Sequence, residues 1–277
     1  MKLNNKHIDL SVPRVMTIVN VTPDSFYDGS RSFTEEEIEH HVVRAIEEGA
    51  DMLDVGGYSS RPNADDVAVD EEIARVGRTM KVIRRVYPEM VVSIDTFRAE
   101  VVRRIVDEWG ACIVNDISTG ELDPEMITTV ARLGLPYVAM HMRGTPTTMQ
   151  SMTDYGDIVE EVRSYFVQKI SELRAAGIED IVIDPGFGFA KTLEQNYQLM
   201  SGLYRLNDLG APMLVGISRK SMIYKLLGTT PEEALNGTTV LNTVALLKGA
   251  NILRVHDVRE AVESVRIIGK MKSCQAF

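Results

Sequence analysis

The chain has 277 residues, of which 44% are hydrophobic and 25% are charged, as in ordinary soluble globular proteins. Its net charge of −10 disfavours nonspecific binding to nucleic acid or to an anionic membrane surface, although a local cluster of cations could still hold a small anion. The two cysteines, Cys112 and Cys274, lack metal-ligand spacing, and no apolar segment is long enough to cross a bilayer. We therefore expect a cytoplasmic protein with free thiols.

Short apolar runs alternate with helical patterns along the chain. The runs cover residues 15–19, 51–55, 91–94, 113–114, 137–140, 181–183, 213–217 and 252–255. The helical patterns cover 35–48, 69–87, 97–108, 124–133, 158–176, 193–209, 231–247 and 258–271. Thr34 and Glu37 have the spacing of a capping box before the first pattern, and glycines follow most of the others, as they do at helix ends.

This alternation predicts a parallel sheet with connecting helices, and eight repeats favour a closed (β/α)8 TIM barrel of the α/β class. An open, doubly wound sheet is the alternative. Because a barrel of this kind needs roughly 250 residues, we expect 1–277 to form a single barrel domain.

Polar residues stand at or just after the ends of most apolar runs. They are Asn20, Asp95, Asn115, Asp116, His141, Asp184, Lys220 and His256. In a TIM barrel the active site lies at the carboxyl ends of the strands. Two long segments on the same side, 20–34 and 56–70, are rich in Gly, Ser, Pro and Asp and are typical of binding loops or lids.

One set of these residues suits an anion. Arg61, Lys220, Arg254 and His256, with Asn20 nearby, could hold phosphate oxygens, and Arg254 and His256 alternate along one strand and so point to the same side. The last two strands of a barrel commonly carry a phosphate site. The alternative is that Arg254 and His256 pair with acidic neighbours at the rim.

A second set is acidic: Asp95, Asn115, Asp116 and Asp184 follow different strands. Buried carboxylates need partners, and a heteroaromatic ring with amino and ring N–H donors would supply them. Paired aspartates also serve in metal binding or glycoside hydrolysis, and a structural role suits Asp116 better than the others.

The glycine-rich segment 184–191 lacks the third glycine of a dinucleotide fingerprint, because Lys191 stands at that position. We expect its glycines to let the backbone approach a flat ligand, with Phe189 as a wall. His141 is interpreted as a structural histidine.

Together these residues resemble the ordered motifs of the dihydropteroate synthase family, from about Val15 to Val265. The motifs are NVTPDSF (20–26), DVGG with SRP (54–57, 60–62), SIDT (93–96), ND (115–116), DPGFGF (184–189), SRKS (218–221) and RVHD (254–257). The resemblance implies a TIM barrel that joins p-aminobenzoate to a dihydropterin hydroxymethyl diphosphate with release of diphosphate. It also implies magnesium as cofactor, sulfonamides as inhibitors and a homodimer.

The resemblance assigns roles to residues of this chain. Asp95, Asn115, Asp184 and Lys220 would hold the pterin, and Asn20, Arg61, Arg254 and His256 the diphosphate. Asn20 and Asp28 would help to place magnesium. Thr22, Phe26, Ser60, Arg61, Pro62, Gly188, Phe189 and Ser221 would line the p-aminobenzoate site. The residues expected to act in catalysis are Arg61, Asp95, Lys220, Arg254 and His256.

The second loop departs from the family pattern, with Tyr58 where Glu is usual, Ser60 where Thr is frequent and Asn63 where Gly is frequent. We expect altered loop mobility or p-aminobenzoate affinity rather than loss of activity. Three rival functions remain: a methyltetrahydrofolate–corrinoid methyltransferase domain, a non-catalytic pterin-binding paralogue, and an aldolase-like or glycosidase-like barrel. The anion set argues against the first, and the polar setting of Lys220 argues against a Schiff-base aldolase.

Overall fold

The computed structural model describes residues 1–3, 6–21, 34–58 and 67–274. The strands are β1 (Lys2–Leu3), β2 (Lys6–His7), β3 (Arg14–Asn20), β4 (Met52–Gly56), β5 (Val91–Asp95), β6 (Ile113–Asp116), β7 (Tyr137–Met140), β8 (Ile181–Asp184), β9 (Leu214–Val215) and β10 (Ile252–Val255). The helices are α1 (Glu35–Glu47), α2 (Val69–Val86), α3 (Ala99–Trp109), α4 (Met126–Leu133), α5 (Ile158–Ala175), α6 (Leu193–Gly202), α7 (Ser221–Leu227), α8 (Leu235–Leu247) and α9 (Val258–Ser273). Two 3-10 helices cover Met149–Ser151 and Leu203–Leu209.

Strands β3 to β10 form one parallel sheet in the order β8-β7-β6-β5-β4-β3-β10-β9. A bridge between Ile183 and Met213 joins the two ends of this order, and the Ile183 amide donates to the Pro212 carbonyl at 2.9 Å. The sheet therefore closes on itself. The predicted (β/α)8 barrel is confirmed, and the open-sheet alternative is wrong.

The core has two layers that follow from the strand pattern. Alternate strand residues face the helices and form the large outer cluster. A second cluster fills the amino-terminal end of the barrel interior; its strand residues are Met16, Met52, Ile113, Val138, Val182, Leu214 and Ile252. Leu3 and Leu10 join this cluster, so the antiparallel β1–β2 hairpin, which the sequence analysis did not predict, closes that end. The opposite end is left for the polar residues.

Several predicted boundaries shift for local reasons. α3 begins at Ala99 rather than at residue 97 because the Thr96 hydroxyl accepts from the Arg98 amide and forms a turn. α4 begins at Met126 because Asp123 accepts from the Glu125 amide in the same way. α8 begins at Leu235 rather than 231, and the pattern over 193–209 divides into α6 and a 3-10 helix.

The seventh apolar run forms a shorter strand than predicted, and a helix that was not predicted follows it. Only Leu214–Val215 form β9, where they pair with Ile252 and Leu253 of β10. α7 then occupies seven residues and is followed by Gly228, whose φ of +64° is the left-handed value typical of the residue after a helix. The capping box of Thr34 and Glu37 is present as predicted.

The sequence predicted free thiols and no segment long enough to cross a bilayer. Cys112 is buried and Cys274 exposed, and both are free. Burial raises the pKa of the Cys112 thiol to about 12, so its reactive thiolate is scarce at neutral pH. Within the described ranges, no helix is long and apolar enough to span a membrane.

Candidate active site

The carboxyl ends of four neighbouring strands lie in register at the open end of the barrel. Asn20 pairs with Gly56, Gly56 with Asp95, and Asp95 with Asn115. A Cβ at Gly56 would lie 2.8 Å from the Asn20 Oδ1 and 3.5 Å from the Asp95 Cβ. Glycine at this position therefore allows Asn20 and Asp95 to approach each other across β4.

Arg254 is the centre of the charge network. Its Nε donates to Asp54 Oδ2 at 2.5 Å, and its Nη2 donates to Asp95 Oδ2 at 2.6 Å. Burial opposes the charge of Arg254, but the carboxylates of Asp54 and Asp95 outweigh it and raise the pKa of the guanidinium. Arg254, which was predicted to bind an anion, is thus paired with two carboxylates in this structure. An incoming anion would compete with these carboxylates for its N–H groups.

Asp54 is a site residue that the sequence analysis did not assign. It is fully buried inside β4, accepts from Arg254, and also accepts from the Asn115 Nδ2 at 3.1 Å. A signal was available, because a carboxylate within an apolar run must be paired when the strand is buried. The Asp54 Oδ1 and the Ser93 Oγ, both on the interior side of their strands, are among the described buried atoms without a hydrogen-bond partner. These atoms give the pocket a polar floor.

The pKa of Asp95 is raised to about 7. Burial is the main cause; Arg254 acts in the opposite direction, and Asp54 adds to the rise. The Asp95 carboxyl is therefore partly protonated at near-neutral pH. A perturbed acid at the mouth of a barrel is typical of a functional site.

A second cation–carboxylate group lies across the mouth. The Lys220 Nζ donates to the Phe187 carbonyl at 2.5 Å and lies 4.7 Å from the centre of the Phe189 ring. Burial lowers the pKa of Lys220 to about 8, against the attraction of Asp184. Burial raises the pKa of Asp184, which Lys220 opposes, and the Asp184 Oδ1 accepts from the Gly186 amide at 2.8 Å.

His256 lies at the outer edge of the site. It is exposed, and its Nδ1 is 3.2 Å from the Ser218 hydroxyl. Arg219 donates to both carboxylate oxygens of Asp257, which ties the segment before α7 to the end of β10. Ser221 is the first residue of α7 and follows Lys220 directly, so both are placed by the same turn.

An apolar wall completes the pocket and was missed as a group. Its buried members are Ile117, Met140, Met142, Met149 and Ala190, with Phe97 and Phe189 packed against them. Phe189, which was predicted to form a wall, packs against this cluster. The available signal was that Ile117, Met142 and Phe189, which come shortly after β6, β7 and β8, are apolar although they lie near the rim.

Two rim residues prove structural. Asp116 is buried and accepts from the Tyr137 hydroxyl at 2.7 Å and from the Gly120 amide at 2.7 Å. His141 is also buried, and its Nδ1 lies 3.0 Å from the Lys191 Nζ. Both agree with the interpretations made from the sequence.

Part of the predicted site lies outside the described residues. This holds for Thr22, Phe26, Asp28, Ser60, Arg61, Pro62 and Asn63. In the described part of the chain, no group of three or more His, Cys, Asp or Glu residues has the arrangement of a metal site. Tyr58 is described: its ring meets Phe97 edge-on at 5.1 Å, and the Arg98 guanidinium lies 5.1 Å from its centre.

Comparison with known proteins places this geometry in a family. A profile of pterin binding enzymes matches residues 16–256. Dihydropteroate synthase from Escherichia coli is 43% identical over 263 residues, which cover 94% of this chain and 92% of the relative. The chain belongs to the dihydropteroate synthase family. As a dihydropteroate synthase, it is a transferase of folate synthesis.

Solved dihydropteroate synthases share the whole fold. The Yersinia pestis dihydropteroate synthase, solved as a sulfonamide drug complex, has a TM-score of 0.93 at 37% identity and covers 99% of both chains. The Xanthomonas albilineans enzyme with 4-aminobenzoic acid has a TM-score of 0.86 at 42% identity and covers 95% of this chain and 94% of the other. The family predicted from the motifs is confirmed.

Proposed function

We propose that the rim condenses p-aminobenzoate with 6-hydroxymethyl-7,8-dihydropterin diphosphate, which gives 7,8-dihydropteroate and diphosphate. The observation that carries this proposal is the pairing of Arg254 with Asp54 and Asp95 beside the Lys220–Asp184 group. Cations for a leaving anion and acids for a pterin edge meet there in one apolar-walled pocket.

The pterin would bind between the acid groups and the apolar wall. Asp95, Asn115 and Asp184 present oxygen atoms to the amino and ring N–H donors of the pterin, and Lys220 is a donor to its ring acceptors. The buried, unpaired oxygens of the floor favour a polar heterocycle over an apolar one. Phe189 and the methionines of the wall would cover the ring faces.

The diphosphate would take Arg254, His256, Asn20 and Arg61 as partners. In the described hydrogen bonds, Arg254 uses only Nε and Nη2, so the other N–H groups of its guanidinium can turn to a phosphate oxygen. Charge-assisted bonds of this kind strengthen as the leaving group gains charge.

Magnesium fits this donor set, since it is usually held by few protein oxygens together with substrate phosphates. Asn20 offers an amide oxygen beside Asp95, and Asp28 is the second residue assigned to the ion. When bound, magnesium would neutralise charge on the diphosphate. Arg254 and His256 would also neutralise charge on the diphosphate.

We propose that diphosphate leaves first, so that a cation develops at the pterin methylene, and that the arylamine of p-aminobenzoate then attacks it. The carboxylate of Asp95 would stabilise the cation. No protein nucleophile takes part. Closure of the segments 20–34 and 56–70 would exclude water, which would otherwise trap the cation.

The p-aminobenzoate site would be lined by Thr22, Phe26, Ser60, Arg61, Pro62, Gly188, Phe189 and Ser221. Sulfonamides, bound by the Yersinia pestis relative, would compete there. We expect changes at Phe26, Ser60 or Pro62 to weaken the sulfonamide more than p-aminobenzoate. An equal loss of affinity for both would contradict this expectation. We also propose a homodimer.

The deciding experiment measures diphosphate release by the purified protein with magnesium and dihydropterin diphosphate, with and without p-aminobenzoate. Release should accompany dihydropteroate formation. It should be lost in Arg254→Ala and Asp95→Ala and retained in Arg132→Ala, which removes an exposed arginine from α4. Pterin binding without release would favour the non-catalytic paralogue, and absence of pterin binding would overturn the assignment.

A further inference from the structure

Lys191 is a buried lysine that contacts the loop of residues 184–190 from the side away from solvent. Only 5% of it is exposed. Its Nζ lies 2.9 Å from the Gly186 carbonyl oxygen, 3.0 Å from that of Phe189, 3.0 Å from the His141 Nδ1 and 3.4 Å from the His141 carbonyl oxygen. None of these partners is a carboxylate. All N–H groups of this lysine are therefore directed at one loop and the strand end beside it.

The loop needs such a partner because its backbone is irregular. Gly186, Gly188 and Ala190 have φ values of +68°, +84° and +48°, which prevents a regular hydrogen-bond ladder. A Cβ at Gly186 would lie 2.0 Å from the His141 carbonyl oxygen, so the loop is pressed against the end of β7. Buried carbonyls in such a loop must find donors elsewhere, and Lys191 supplies them to two of its residues.

The same loop carries groups of the proposed active site. The carbonyl of Phe187 accepts from the Lys220 Nζ, and the Phe189 ring packs against that ammonium. Lys191 thus holds the carbonyls of Gly186 and Phe189 on the buried side, while Lys220 binds the carbonyl between them on the side of the site. A shift of the loop would move both Lys220 and Phe189.

We propose that Lys191 is a positioning residue for the condensation: it fixes the loop in the shape that places Lys220 against the pterin and Phe189 against p-aminobenzoate. The inference rests on the proposed function, which assigns those two contacts. Lys191 holds the loop through hydrogen bonds rather than through an ion pair, because no carboxylate accepts from it directly.

The surrounding charges agree with a role based on hydrogen bonding. Burial lowers the pKa of Lys191 to about 7; Asp184 opposes this, and Lys220 and Arg143 add to it. Burial, and then Lys191, hold the pKa of His141 well below its usual value, so this ring is neutral and can accept at Nδ1. An ammonium or a neutral amine at position 191 can both donate to the loop carbonyls.

The test compares the wild-type chain with Lys191→Met, which keeps an unbranched side chain as far as the ε position and removes the donors. We expect a folded protein whose kcat/KM for dihydropterin diphosphate falls on the order of 10- to 100-fold. Lys220→Met should then cost less in the Lys191→Met background than in the wild type, because the loop is already displaced. Lys81→Met, an exposed lysine on α2, is the matched control and should change neither value.

Wild-type kcat/KM in Lys191→Met, or additive losses in the double variant, would overturn the inference. If Lys191→Met does not fold, His141→Phe decides the question. This variant keeps the lysine and removes one acceptor, so a smaller loss that is non-additive with Lys220→Met is expected, and no loss contradicts the proposal. If the wild type forms no dihydropteroate, the proposed function fails; coupling between positions 191 and 220 in the free energy of unfolding then tests the loop contact by itself.

Discussion

Asp95 and Lys220 bear opposite charges at the barrel mouth, and burial moves the pKa of each toward neutrality. Arg254 lowers the pKa of Asp95 and so favours its carboxylate, and Asp184 raises the pKa of Lys220 and so favours its ammonium. In this part of the rim, acids and cations therefore offset one another's charge. Titratable groups with perturbed pKa values are common in the active sites of enzymes that work near pH 7.

The pH dependence of kcat/KM follows from these two groups. The proposed reaction uses the Asp95 carboxylate, whose pKa is about 7, and the Lys220 ammonium, whose pKa is about 8. Activity should therefore fall below the first value as Asp95 gains a proton, and above the second as Lys220 loses one. The measurement is initial-rate kinetics from about pH 5 to about pH 10.

Two variants assign the limbs of this profile. Lys220→Arg should move the alkaline limb to higher pH, because a guanidinium does not lose its proton in this range. Asp95→Asn should flatten the acid limb at a lower overall rate. An alkaline limb unchanged in Lys220→Arg would show that another group controls it.

At the scale of the element, the loop after β8 and the described base of the second loop are held by contacts with neighbouring elements. The first is held by Lys191, Asn196 and the end of β7. The second begins at Tyr58, which packs on Phe97 and Arg98. The loop after β8 therefore owes part of its shape to contacts with neighbouring elements.

Gly186→Ala should both destabilise the protein and weaken pterin binding. The new Cβ would clash with the His141 carbonyl oxygen at 2.0 Å, and a φ of +68° is strained for alanine. Gly210→Ala is a matched control, since Gly210 has the same φ of +68° and nothing within 4 Å of the new Cβ. The control should cost about 1–2 kcal/mol of unfolding free energy from backbone strain, and Gly186→Ala clearly more. Equal losses in denaturant unfolding would show that the contact with His141 is unimportant.

Tyr58→Glu restores the residue usual in the family at the base of the second loop. The carboxylate would face Arg98, which already pairs with Glu72 at 2.8 Å, so the loop base should stay anchored. We expect near-normal turnover and a changed KM for p-aminobenzoate, measured by steady-state kinetics. Tyr58→Phe, which keeps the ring and its contacts with Phe97 and Arg98, is the comparison variant. A large gain in activity in Tyr58→Glu would show instead that Tyr58 impairs the loop.

For the whole molecule, exposed apolar side chains on two adjoining helices indicate where the proposed homodimer would form. Val240 and Leu247 on α8 are 54% and 56% exposed, and Ile267 and Met271 on the adjoining α9 are 61% and 51% exposed. Lys272 of α9 donates to the Leu246 carbonyl, which holds the carboxyl ends of the two helices together. An apolar face shared by two packed helices is typical of an interface.

We expect the protein to sediment as a dimer of the 30.8 kDa chain. The double variant Leu247→Asp with Ile267→Asp should shift it to the monomer, because two carboxylates would be buried without partners. Val167→Asp changes an equally exposed residue, 50% accessible, on α5 and should leave the dimer intact. A monomeric wild type, or a double variant that stays dimeric, would contradict the assignment to this face.

The sequence predicted the barrel and its functional end because both depend on local patterns. Eight apolar runs with polar ends, each followed by a helical pattern, indicate parallel strands whose carboxyl ends meet at one mouth. Asp95, Asn115, Asp184, Lys220 and Arg254 were placed correctly at that mouth for this reason. Boundaries such as those of β9 and α7 were missed, because pairing with β10 and the turn at Lys220 decide them.

By itself, the sequence determined the alternation of strands and helices, the family motifs and the identity of most rim residues. Only the tertiary structure decided which of these residues touch. Arg254 meets Asp95 and Asp54 across separations of 159 and 200 residues, and Lys191 meets His141 across 50. Such contacts arise when the barrel closes and brings strand ends together. The spacing of residues along the chain contains no information about them, because the closed sheet sets the distances between strand ends.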